Sequence, residues 1–507
     1  MWNRTLAIVF SVCLIATMSF GLVQTALADC TPDGTAGSDN ITCDTTTDMD
    51  GNGDNADDAD GVHGEGDSDT ITVVNGASTY EVLGDSNSAG GTANDNISVQ
   101  SGGEVTDGIS GDSYDGDNNS GDDSINNAGD VGIIVGDSYE GDNNRGNDTI
   151  NNSGVVWGEI AGDSYDGDNN SGDDIINNTG TAGAIFGDSV EGNNNSGNDT
   201  INNSGTVEYI FGDSYCGCGN SGNDTITNSG TVEVDVAGSG GDDTITNTST
   251  GLIKDSIDGD DGEDIIENYG TVNDDIEGDD DDDTILNAGT VGDDVAGDAG
   301  NDTITNTGVI GGDLEGNGGN DVIENSGTVH GNIEAGSGDD TVSLTGTQVD
   351  GIIDGGPDTD TLKFSMKTKN KSLFEQAKAA IEASGDGSFA WTNGRIAWQN
   401  FEVLIDNLTL LPGPGLSLKF LDDKLLVSMD TNGKLYFYGL SEGANVYLAM
   451  LGYDIWSAAS AGQVLLNVSN ANINTNLIVT SLGNGQIQVQ YYSLEDGSLL
   501  SNTVISR

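Results

Sequence analysis

An acid followed two residues later by a branched aliphatic residue recurs through most of this chain, and its period limits what the chain can fold into. The acids are Asp69, Asp95, Asp123, Asp148, Asp174, Asp199, Asp224, Asp243, Asp264, Asp283, Asp302, Asp321, Asp340 and Asp360, each with Ile, Val or Leu at +2. Their spacings are 26, 28, 25, 26, 25, 25, 19, 21, 19, 19, 19, 19 and 20 residues. A period of about 20 residues marks a solenoid, whose repeats bury an apolar face only by stacking on one another. The fold class expected is all-β: a parallel β-helix or β-roll of about 14 coils, followed by a small all-β domain.

The representative unit is GDAGNDTITNTGVIGGDLEG at 297–316. It reads as two short strands and two turns. The first strand points Ile245, Ile266, Ile285, Ile304 and Ile323 inward, and two residues later Asn247, Asn268, Asn287, Asn306 and Asn325 fall in register. A second Asn column runs through Asn127, Asn152, Asn178, Asn203 and Asn228. Stacked amides of this kind satisfy turn backbone from coil to coil. Gly follows at the bend, as at Gly270 and Gly289, where positive φ costs little. The second strand is expected to alternate inward Val272/Ile276, Val291/Val295, Ile310/Leu314 and Val329/Ile333. Five long copies at 111–238, typified by GDSYDGDNNSGDDSINNAGDVGIIVG, precede six short ones at 238–355. Gly-to-Asp spacing is 12 in the long copies and mostly 5 in the short ones, so a seven-residue insertion is confined to one turn.

Charge is as lopsided as the repeat. Residues 29–362 hold 74 acids against two bases, Arg145 and Lys254, whereas 363–507 hold 12 acids and 10 bases. Such a field repels nucleic acid and anionic lipid, and it opposes compaction unless cations neutralise it. An acidic, Gly-rich tract can also be disordered, but the phased Ile and Val positions argue for a fold.

Residues 1–28 read as a secretory signal: Arg4, a mostly apolar 6–23, and a small-x-small Ala-Leu-Ala site at 26–28. The mature chain is then expected to be extracellular, secreted or attached to the cell surface, with no integral membrane span. Cys30, Cys43, Cys216 and Cys218 are an even set that suits disulfides in an exported chain. Residues 29–83 read as an N-terminal cap. Within it, Asp48, Asp50 and Asn52 match the first half of a D-x-D-x-N-G calcium loop, although Ala59 stands where the closing Glu would be.

Residues 84–362 are the acidic solenoid, and 363–411 read as its C-terminal cap. A helix is expected over 372–383, with a Ser372/Glu375 capping box and an apolar Leu373/Ala377/Ile381 face. A hairpin around Asn393-Gly394 follows. Pro412-Gly413-Pro414-Gly415 begins the 412–507 segment, whose alternating strands and turns at Asn432-Gly433, Asn484-Gly485 and Asp496-Gly497 suggest an all-β domain.

The short-copy turn is complete at Gly336-Ser337-Gly338-Asp339-Asp340-Thr341-Val342. Here the chain resembles the repeats-in-toxin, or hemolysin-type, calcium-binding repeat family, whose nonapeptide is GGxGxDxUx. The alternate half-coil, as in Asn325-Ser326-Gly327-Thr328-Val329, is similar to autotransporter passenger repeats. The resemblance covers about 37–362 and implies that one Asp per turn supplies a carboxylate to calcium between stacked coils. On this chain that role falls on Asp243, Asp264, Asp283, Asp302, Asp321, Asp340 and Asp360, and on Asp123, Asp148, Asp174, Asp199 and Asp224. The first Gly of the motif is often replaced, as at Asp260, Asp298, Asn119 and Ser239, and only one turn per coil fits, so one row of sites is expected.

Calcium also follows from the residues themselves. It takes six to eight oxygens from carboxylates, carbonyls and Asn, and stacked coils bring identical acids to within roughly 5 Å, which is costly without a cation between them. The long-copy inserts add Asp115/Asp117/Asn119, Glu140/Asp142/Asn144 and Asp166/Asp168/Asn170 as further oxygen-rich groups.

No enzyme is expected. Gly-Asp-Ser recurs six times in phase, from 84–86 to 212–214, which fits a turn rather than a nucleophile needed once beside a His base. A secreted β-helix enzyme acting on acidic polysaccharide is the alternative, with Arg145 and Lys254 as its candidate bases. An ice-binding face is a third class. T-x-T occurs at Thr225/Thr227, Thr244/Thr246 and Thr303/Thr305, but other copies carry Asn, Glu or Leu there. The reading is a calcium-stabilised structural or adhesin-like surface protein. Its expected partners are calcium ions and a surface polysaccharide or another cell-surface protein.

Overall fold

The computed structural model describes residues 29–31, 38–44, 62–64, 67–85, 91–215, 219–346, 348–368, 371–383, 385–391 and 394–410, and the strands of 418–506. The signal segment, the Asp48/Asp50/Asn52 loop and the Cys216/Cys218 pair lie outside these residues.

The repeat folds as a parallel β-solenoid. One seventeen-stranded sheet collects the first strand of every coil. Setting aside Asp29–Thr31 and Val403–Leu410 leaves fifteen strands, from Asn40–Asp44 to Thr361–Thr368, one more than the sequence count. Register is unbroken where the period changes from 25 to 19 residues: Ile201 pairs with Ile226, and Ile226 with Ile245. The insertion is accommodated outside the sheets, as its confinement to one turn implies. In three of the long coils it adds a small sheet of its own, Ser138–Glu140, Ser164–Asp166 and Ser189–Glu191.

The core is a stack of single residues. Ile125, Ile150, Ile176, Ile201, Ile226, Ile245, Ile266, Ile285, Ile304 and Ile323 are all buried. Alternation puts the flanking residues outside, so Thr303–Asn306 reads exposed, buried, half-buried, buried. The expected second strand is in fact two. Thr271–Val272 and Ile276–Glu277 are separate strands in different sheets, and the same split recurs at Val309–Ile310 and Leu314–Glu315. An unbroken strand would point the residue midway between Val272 and Ile276 inward. That residue is Asp274, so the chain bends there; the later coils have a third side, whereas Glu104–Ser110 and Asp130–Val135 each stay one strand.

Both ends of this unit are closed by different means. At the start, Asp29–Thr31 pairs antiparallel with Asn40–Asp44, placing Cys30 opposite Cys43, and Cys43 is disulfide-bonded. At the far end the hairpin Gly387–Trp391/Gly394–Gln399 extends a sheet, with Trp398 in register beside Ile353. Phe364, Phe389 and Trp398 meet edge-to-face with centroids 5.1–5.9 Å apart, a favoured aromatic geometry. The helix is Lys371–Glu382, with Leu373, Ala377 and Ile381 buried as its spacing requires. Ser372 lies inside its first turn rather than at its cap, and accepts a bond from Gln376 Nε2 at 3.0 Å.

The strands of 418–506 are antiparallel. Leu418–Lys419, Leu426–Met429 and Leu435–Tyr438 form a three-stranded sheet, and Val464–Asn470, Ile473–Gly483, Gln486–Ser493 and Leu499–Ser506 a four-stranded meander. The turns expected at Asn432-Gly433, Asn484-Gly485 and Asp496-Gly497 lie outside the described residues. No helix among the described residues is long and apolar enough to cross a membrane.

Candidate metal centre

The repeated acids form one column, turned inward rather than toward solvent. Each sits immediately before the first strand of its coil, and from Asp69 to Asp360 all are buried. The backbone N–H of each donates to Oδ1 of the equivalent Asp one coil further on, at 2.5–2.9 Å, from Asp69→Asp95 to Asp340→Asp360. The ladder begins with Asp39 donating to Asp69 and ends with Asp360 donating to Glu402 Oε2 at 2.9 Å. Glu402 thus takes the place of an Asp in a coil that does not exist, a detail outside the sequence reading.

Oδ1 is accounted for, but Oδ2 is not. In thirteen of these residues, from Asp95 to Asp360, Oδ2 is buried without a hydrogen-bond partner. Glycine makes the space: a Cβ at Gly297 would come within 2.3 Å of Asp302 Oδ2. Burial pushes these carboxyls upward, Asp302 to about 6, Asp321 to about 7 and Asp283 to about 8. In the long coils burial raises Asp123 and Asp148 further above the ordinary range, helped by the charges of Asp112 and Asp137.

The magnitudes show how unfavourable this column is on its own. A buried acceptor without a partner costs about 1–3 kcal/mol. Thirteen such atoms would match or exceed the roughly 5–15 kcal/mol that separates a folded domain from its unfolded chain. Protonation or a bound cation can relieve the cost. The donor set suits a hard cation: carboxylate and carbonyl oxygens, with no thiolate or imidazole in the column. All twelve repeat acids assigned to calcium from the sequence, Asp123 through Asp360, are in this one column.

The insert groups do not converge as D-x-D-x-N spacing suggested. Asn119, Asn144 and Asn170 turn into the core, where their Oδ1 atoms accept N–H bonds from Gly91, Asn119 and Asn144 at 2.7–3.2 Å. Asp117 and Asp142 stay exposed. Among the replaced glycines, Ser239, Asp260 and Asp298 adopt φ of 87°, 70° and 66°, but in the long copy the left-handed residue is Asn118 at 64°, not Asn119. Three of the Gly-Asp-Ser serines, Ser138, Ser189 and Ser214, donate to the carbonyls of Gly116, Gly167 and Gly192 at 3.0–3.2 Å, and Ser138 Oγ also accepts from Asn144 Nδ2 at 3.1 Å. Lys254 pairs with Glu233 at 2.5 Å, and Arg145 is exposed on its loop.

Sequence reasoning missed the aspartates of those same triplets. Asp85, Asp112, Asp137, Asp163, Asp188 and Asp213 form a second buried column beside the first, one per triplet and with no member in the short coils. Their phased recurrence in the sequence is the signal that marks them.

No family model matches the chain, and no curated protein matches it. Among solved structures it is similar to a hyperactive, Ca2+-dependent, β-helical antifreeze protein from an Antarctic bacterium. That match has 19% identity and a TM-score of 0.44, and covers 66% of this chain and 94% of that one. The β-solenoid assignment here rests on the strand register of the chain itself.

Proposed function

We propose that this protein is a calcium-stabilised β-solenoid that works outside the cell as a structural or adhesive surface element rather than as a catalyst. The observation that carries the calcium reading is the column of thirteen buried Asp Oδ2 atoms without a partner. Calcium held along the column would cancel the carboxylate charge and give each orphaned oxygen a ligand role. The residues that would hold it are Asp95 to Asp360, with turn carbonyls as the remaining oxygens.

The charge gives this chemistry a biological direction. With a net charge of -73, concentrated in the repeats, the chain repels itself wherever calcium is scarce. Millimolar calcium outside the cell would fold it by mass action, because ions bound only by the native state stabilise that state. Export by the N-terminal signal and attachment to a polysaccharide or protein at the surface complete the reading. It does not extend to ice binding, because the outward ranks are broken by Glu267, Leu286 and Glu324 beside the Thr pairs.

The test is calcium titration of the chain followed by circular dichroism and calorimetry. A cooperative gain of β-structure with several ions bound per chain is expected, weakened in Asp302→Ala/Asp321→Ala. A chain fully folded in chelator that takes up no calcium would defeat the reading.

A further inference from the structure

In short coils the residue after the turn glycine is left-handed, as at Asp279 with φ 72°, and the chain turns back at once. In long coils that turn is postponed to Asn118, Asn143, Asn169 and Asn194. The residue after the glycine is then free to point inward, and it is always Asp. Asp112 is fully buried, and its carboxylate lies beside the Asp137 carboxyl and the Gly121 backbone N–H without a hydrogen bond of normal geometry to either. The Oγ of Ser113 beside it is likewise buried without one.

Two groups of three buried carboxylates result. Asp85, Asp95 and Asp112 bring oxygens within 4.8 Å of one another, and so do Asp112, Asp123 and Asp137. Ionised carboxylates held this close in a buried setting repel one another unless a cation lies between them. Oxygens within 4.8 Å of one another can share one ion at calcium's ligand distance of about 2.3–2.6 Å. Glycine again leaves the room: a Cβ at Gly91 would lie 2.1 Å from Asp112 Oδ1.

We infer that the long coils carry a second set of calcium sites, formed where the Gly-Asp-Ser column meets the anchor column and centred on Asp112. This rests on the calcium reading above but assigns ligands and a location that the anchor column alone does not have. The insertion is therefore a device that adds cation sites to one half of the solenoid. The 19-residue coils keep a single row.

Calcium bound per full-length chain should fall by at least one ion in Asp112→Asn, which keeps the side chain's size. Asp302→Asn, measured in parallel, reports the anchor row in the short coils. Loss in Asp302→Asn with full retention in Asp112→Asn would overturn this inference and leave the general reading standing. Loss in Asp112→Asn alone would support the inference and count against the anchor row. If Asp112→Asn does not fold, an anomalous difference map of wild-type crystals grown in calcium decides. A peak enclosed by Asp112, Asp123 and Asp137 supports the site, and its absence while peaks line the short coils rejects it.

Discussion

At the scale of the residue, two columns do opposite jobs with similar geometry. Asn306 is saturated: its Oδ1 accepts from Gly308 N–H at 3.1 Å and Asn287 Nδ2 at 3.0 Å, and its Nδ2 donates to Asn325 Oδ1 at 2.9 Å. Asp302, in the neighbouring turn, uses one oxygen and leaves the other without a partner. Asn306→Ala should therefore cost about 1–3 kcal/mol in thermal or denaturant unfolding, by the same amount with calcium or with chelator. The Asp columns alone should respond to the ion. The Asn column and the anchor acids were legible from spacing, because stacking at a fixed period turns a string position into a place in space. The role of Asp112 was not, since which of two nearby acids faces inward depends on where the turn reverses. That is set by the left-handed Asn118, a backbone property that many Asn residues could supply.

At the scale of the element, the coil around Ile304 is held by one inward aliphatic residue per side, Ile304, Ile310 and Leu314, with little redundancy. Ile304→Ala removes a fully buried side chain from the stack and should cost about 2–5 kcal/mol. Thr303→Ala, one residue earlier and exposed, should stay within about 0.5 kcal/mol. Denaturant melts of the two variants against wild type check both. The split of the second strand was unreadable as a strand boundary, although the acid at its midpoint, Asp274 or Asp293, was a sign that no unbroken strand could run there. The end structures follow the same economy: Trp398 continues a sheet and covers Phe364, and Glu402 finishes the Asp ladder. Glu402 escaped notice because it is 42 residues from the Asp it serves, outside any repeat.

At the scale of the whole molecule, charge and fold are coupled through the carboxyl groups. Their native-state pKa values lie above those of the unfolded chain, near 4, with Asp302 at about 6, Asp321 at about 7 and Asp283 at about 8. Without a cation, the folded chain then holds protons that the unfolded chain has lost. Its stability is greatest in acid and falls as pH rises from about 4 through about 8. With calcium bound the ionised carboxylates are the favoured form, protons compete with the ion, and stability falls as pH is lowered. The sign of the pH dependence thus reports which species occupies the column.

The decisive measurement is thermal unfolding of the chain across pH 4–8, once in excess chelator and once in millimolar calcium. Slopes of opposite sign are expected, with the melting temperature falling toward pH 8 in chelator and rising toward pH 8 in calcium. The same slope in both buffers would contradict this expectation, and would mean that protons or the Asn and Ile stacks hold the solenoid without the ion.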